Sequence, residues 1–132
     1  MYLRFIALTT NHESHVRDGV FAAAWRMRQD PELPADDEAL LRMHLAWMNE
    51  NMRMPTRFNR TKSKAHDRRA AKGISWFKDT AVEHIDRVRQ VSEILGRHGI
   101  HIETITTDRP GFVVYEDEHQ IVAEPFKDTP VG

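Results

Sequence analysis

The sequence predicts an α+β fold, and three observations predict it. Residues Tyr2 to Leu8 are apolar on nearly every position, three later segments carry apolar residues at helical spacing, and the last third is β-branched and cut by two turn signals. The expected architecture is about four mostly antiparallel strands, one N-terminal and three in a C-terminal meander, packed against about three helices. A chain of 132 residues suits a single domain spanning 1–132, large enough to bury a core without staples.

Met1 to Thr9 reads as the first strand. Its only charge is Arg4, and Tyr2, Leu3, Phe5, Ile6 and Leu8 suit a strand covered on both faces rather than an edge. Thr10-Asn11-His12-Glu13 has capping-box spacing and predicts a helix running to about Gln29. Val16, Val20, Ala23, Ala24 and Met27 would face inward, with Phe21 and Trp25 beside them. Gly19 inside that helix would cost about 1 kcal/mol against alanine, which hints at close packing.

Asp30 to Pro34 links this helix to a second, whose start is marked by Asp36, Asp37 and Glu38 at the positive end of the helix dipole. Leu41, Leu45, Met48 and Met52 form its stripe, flanked by Leu40, Met43 and Trp47. The short link predicts two antiparallel helices.

The third helix is the longest stripe: Phe77, Ala81, Ile85, Val88, Val91 and Leu95 are spaced 4, 4, 3, 3 and 4. Ser75 is the preferred cap because it lets Phe77 join the stripe, although Thr80-Ala81-Val82-Glu83 also has capping-box spacing. Gly99, following Arg97 and His98, supplies the positive φ of a helix stop. Ile100 to Thr107 is then a strand, Asp108-Arg109-Pro110-Gly111 a turn, and Phe112 to Tyr115 a strand placed centrally because both of its faces are apolar. Glu116 to His119 turns the chain into a strand over Ile121 to Ala123, which Pro125 ends. Lys127 to Gly132 is expected to be a loose tail.

Composition excludes several function classes. There is no cysteine, so no disulfide, thiolate metal site or cysteine nucleophile. No leader and no apolar run near the ~18 residues of a membrane span is visible, which predicts a cytoplasmic protein with no membrane partner. The net charge of −1 conceals a division: residues 53–72 carry eight Lys or Arg (Arg53, Arg57, Arg60, Lys62, Lys64, Arg68, Arg69, Lys72) against Asp67 alone. The rest of the chain is therefore at −8.

This basic loop is the leading functional candidate. Arg57, Arg60, Lys62, Lys64, Arg68 and Arg69 are the residues expected to meet nucleic acid or another anionic partner, with Phe58 as a stacking surface. The plain alternative is a solvated loop whose charges pair with the acidic remainder.

Other features are weaker. Eight histidines include the close pairs His12/His15 and His98/His101, but neither is completed into a metal motif, so no metal is expected. Tyr115-Glu116-Asp117-Glu118-His119 reads as an exposed hairpin turn before it reads as an acid/base cluster. Val113 to His119 also resembles a strand-turn stretch of the large-subunit-type pseudouridine synthases, but their catalytic His-Arg-Leu-Asp segment has no counterpart in the chain. Trp25, Trp47 and Trp76 are core candidates, and no phosphate loop, nucleophile elbow or dinucleotide fingerprint occurs, so no cofactor is expected.

The first expectation is thus a small non-enzymatic binding or regulatory module. The second is a small enzyme with a pocket at the turn end of the sheet, using Trp76, Arg109, Tyr115, Glu116 and His119. The third is a homodimer or structural partner joined through a sheet edge or helix.

Overall fold

The computed structural model describes residues 1–10, 17–53 and 73–129. In chain order the elements are β1 (Tyr2–Thr10), β2 (Arg17–Gly19), α1 (Val20–Arg28), α2 (Ala35–Asn51), β3 (Ile74–Lys78), α3 (Val82–Arg97), β4 (Ile102–Thr107), β5 (Phe112–Glu116) and β6 (Gln120–Glu124). The class is α+β with an antiparallel sheet, as the patterning predicts. The described residues fall into two compact units, one holding 1–4, 73–82 and 105–129 and the other 5–10, 17–53 and 83–104.

The first unit is the sheet unit. Its hydrogen-bonded order is β1-β3-β6-β5, every pair antiparallel. Trp76 sits opposite Ile121 and Ile74 opposite Ala123, and these residues with Tyr2 and Ile105 form one apolar cluster. The five residues of β6 are all buried, and β3 and β5 pair with it on its two sides.

Three expectations change here. Residues Ile74–Lys78 form a strand, so the third helix begins at Val82 rather than after Ser75. Phe77 lies four residues before Ala81 by coincidence of spacing, and its burial comes from pairing with Leu3 on β1 and Gln120 on β6. The meander reduces to a hairpin of β5 and β6, since β4 pairs with β1. Finally β5 is not central: it lies last in the order, with Phe112 50% and Val113 38% exposed. Val114 sits at a bulge and is buried, so apolar content on both sides of β5 reflects a bulge rather than a central position.

The turns behave as their sequences predict. Gly111 has φ +130° and passes so close to the Glu124 carbonyl that a Cβ would overlap it. The tail is less loose than expected up to Thr129. The Thr129 hydroxyl donates to the Arg109 carbonyl (3.2 Å), the Phe126 amide donates to Thr129 Oγ1 (3.0 Å), and Phe126 packs edge-on against Phe112.

The second unit is helical, with the rest of β1 beside β2. Ile6 is paired with Gly19 and Thr10 with Arg17. The first helix is shorter than predicted, because Arg17–Gly19 is extended and Gly19 is the N-cap of α1 with φ −70° and ψ 164°. The expected helix-interior penalty of that glycine therefore does not arise. Thr10 of the predicted capping box is the last residue of β1, and Asn11, His12 and Glu13 lie outside the described residues. α2 keeps its predicted span and stripe, burying Leu41, Leu45 and Met48. α3 buries Ile85, Val88, Val91, Ile94 and Leu95, each contributing about 1.5–3 kcal/mol of apolar burial. It ends in a Schellman motif: the Ile100 amide donates to the Leu95 carbonyl (2.9 Å) and the Gly99 amide to Gly96 (3.2 Å), with Gly99 at φ +88°.

α2 and α3 run antiparallel, since Asp37 near the start of α2 meets Arg97 at the end of α3 while Asn51 at the end of α2 meets His84. No helix among the described residues is long and apolar enough to cross a membrane.

Candidate functional site

The helical unit holds a cleft where two helix ends come together. α1 supplies Ala23, Arg26 and Met27, the turn after it supplies Asp30, Glu32 and Leu33, and the residues just after α3 supply His98 and Ile100. The cleft encloses about 400 Å³, at the lower end of the range of small-molecule sites. Its shape follows from local sequence. α1 stops at Gln29, Asp30 Oδ1 accepts the Glu32 amide (2.9 Å), and Pro31 and Pro34 keep the connection out of the helix.

At its edge lies a polar cluster. Asp37 Oδ2 is 2.7 Å from His98 Nε2, and Asp37 Oδ1 accepts from Arg97 at 2.8 Å. The His98 hydrogen bond, aided by Arg97 and opposed by partial burial, holds the Asp37 carboxyl below the usual aspartate range. An ionised Asp37 only accepts, so His98 Nε2 carries a proton and Nδ1 is the ring nitrogen left over. Arg28 pairs with Glu38 nearby (3.4 Å).

A second polar group fills the α2–α3 contact. The Arg87 guanidinium lies 4.3 Å over the Trp47 ring and 3.5 Å from His44 Nδ1, while His84 meets the Trp47 ring edge-on and its Nε2 bonds the Asn51 carbonyl (2.8 Å). Burial, and then the Arg87 charge, push the His44 imidazole below its ordinary pKa. This keeps His44 neutral, as a packed residue between two helices.

Of the described residues named from sequence, Tyr115, Glu116 and His119 share the β5–β6 turn, whereas Arg109 lies at the other end of β5. Arg57, Arg60, Lys62, Lys64, Arg68 and Arg69 lie outside the described residues, as do His12 and His15. Trp76 is fully buried, and its indole Nε1 meets no acceptor among the described residues. Arg109 pairs with Asp128 (3.6 Å) and lies over the Phe126 ring. Glu116 pairs with Lys78 (2.6 Å) at the other end of β5. Four residue steps of about 3.3 Å put Arg109's turn and the Glu116 turn roughly 13 Å apart. They sit at opposite ends of one hairpin.

The turn itself is a tied structure. Asp117 Oδ1 accepts the amides of His119 (2.8 Å) and Gln120 (3.0 Å), while Oδ2 accepts from the Tyr115 hydroxyl (2.8 Å) and the Gln120 side chain. Burial alone would raise the Asp117 pKa, but these bonds outweigh it and lower it. Among the described residues no three His, Asp or Glu side chains gather as a metal set.

The chain matches no protein-family model, no curated protein and no solved structure. Its functional reading therefore rests on its own residues. Sequence reasoning took Asp37 as a complement to the helix dipole, and His98 as a C-terminal cation and as half of an uncompleted His98/His101 pair. They are 61 positions apart, and no local spacing links them.

Proposed function

We propose that the chain is a small binding module that engages a phosphate-bearing partner, nucleic acid first, through the basic segment 53–72. The observation that carries this is the charge division, eight Lys or Arg against one acid in that segment and −8 elsewhere. Such density neutralises phosphates and releases their counterions, and the arginines add bidentate hydrogen bonds.

Two structural observations support binding over the alternatives. Many acids that would otherwise neutralise the segment already have cationic neighbours: Asp37 has Arg97, Glu38 has Arg28, Glu116 has Lys78, and Asp79 and Asp108 both face the N-terminal ammonium. Of the groups named for an enzyme at the hairpin, Tyr115 and Glu116 are engaged with Asp117 and Lys78, and Arg109, paired with Asp128, lies at the other end of β5.

The test is binding of a labelled mixed-sequence oligonucleotide, single- and double-stranded, between about 50 and 200 mM salt. Contacts to 6–10 phosphates weaken affinity by roughly 10³–10⁵ over that range. Replacing Arg57, Arg60, Lys62, Lys64, Arg68 and Arg69 by glutamine should abolish binding while the far-UV spectrum is kept. Absence of binding at the lower salt would overturn the reading.

A further inference from the structure

The cleft between the ends of α1 and α3 is independent of the basic segment and has its own chemistry. We propose that it is a binding site for a small aliphatic amine, taken as the ammonium ion. Its floor is apolar: Ala23 and Met27 are buried, and Leu33 and Ile100 are half-buried. A short hydrocarbon body is the ligand part that gains from such a floor.

The polar groups around that floor favour a cation. Two helix C-termini meet at the cleft, and these are the negative ends of the helix dipoles. Asp30 and Glu32 add two carboxylates, and Glu32 is exposed. The basic side chains close by are largely committed: Arg97 to Asp37 and Arg28 to Glu38. Arg26 also lines the cleft and disfavours a second positive group on the ligand.

His98 supplies direction. Asp37 takes the Nε2 proton, so in the neutral ring Nδ1 is a lone-pair acceptor on a residue that lines the cleft. An ammonium has three donors, and Nδ1, Glu32 and Asp30 are three acceptors of the right kind.

The experiment uses the full chain and three isosteres at pH 8: isoamylamine, isoamyl alcohol and isovalerate. An alkylammonium, like lysine with a pKa of about 10.4, is charged there. Binding is read by amide chemical-shift changes in ¹⁵N-labelled protein. The expected result is a saturable shift at Ala23, Met27, Leu33 and Ile100 with the amine, and affinity at least roughly tenfold weaker for the alcohol and the carboxylate, the size of one lost charge-assisted hydrogen bond. Glu32→Gln should weaken the amine by a similar factor, whereas Glu50→Gln, an exposed acid on the far half of α2, should leave it unchanged. Equal or tighter binding of isovalerate would overturn the proposal. So would the absence of a saturable shift at these amides up to about 50 mM amine, well above the weakest millimolar site.

Discussion

Gly111→Ala is the sharpest test of how the β5–β6 hairpin closes. The native φ of +130° is a conformation that only glycine adopts freely, and holding another residue there costs about 1–3 kcal/mol. The steric term acts in the same direction. A Cβ at this position would overlap the Glu124 carbonyl carbon and oxygen and press on Pro125 Cα, all of them backbone atoms that cannot rotate aside. Relief requires the turn to move away from Glu124, which opens the Phe112–Glu124 pairing and the Thr129 anchor on Arg109. The expected loss is therefore about 3 kcal/mol or more. With a urea slope of about 1–3 kcal/mol per M, the midpoint should fall by about 1–3 M. Gly96→Ala is the matched control. Gly96 lies in the last turn of α3, and a Cβ there meets nothing within 4 Å. Alanine in that position should stabilise by up to about 1 kcal/mol. Equal midpoints for the two variants, or a Gly111→Ala midpoint within about 0.3 M of the wild type on such a slope, would refute the argument.

Two further outcomes follow from the polar contacts. His44 has a folded-state pKa below its unfolded value, so the unfolded chain takes up the proton first as pH falls. Stability should thus be unaffected by this group above about pH 6.5 and decline below it, and His44→Leu should flatten that decline in urea titrations between pH 7.5 and 5. Asp117→Ala removes the acceptor of two backbone amides, a hydroxyl and an amide side chain, and should cost about 1–3 kcal/mol, with Asp117→Asn losing less; equal losses would show that the hydrogen bonds at this turn do not matter.

The sequence by itself determined the class and the helix stops. The 3.6-residue stripes over α2 and most of α3, the glycines at the end of α3 and at the β5 turn, and the β-branched run of β4 are local signals. Each depends on residues within a few positions, where propensity, capping and positive φ operate. Tertiary structure decided what those signals leave open. Ile74–Lys78 is a strand because β1 and β6 offer partners on both sides, although its spacing extends a helical stripe. Arg17–Gly19 is extended because it pairs with β1, which moves Gly19 from a helix interior to a cap. β6 is buried throughout despite its polar Gln120 and Glu124, while Phe112 and Val113 of β5, the last strand in the order, are exposed despite being apolar. The cleft has the same origin. Asp37 and His98 are ordinary helix-end residues in the sequence, and only the antiparallel packing of α2 and α3 places one carboxylate 2.7 Å from one imidazole. Contacts between distant residues carry no periodicity, so no reading along the chain could have paired them.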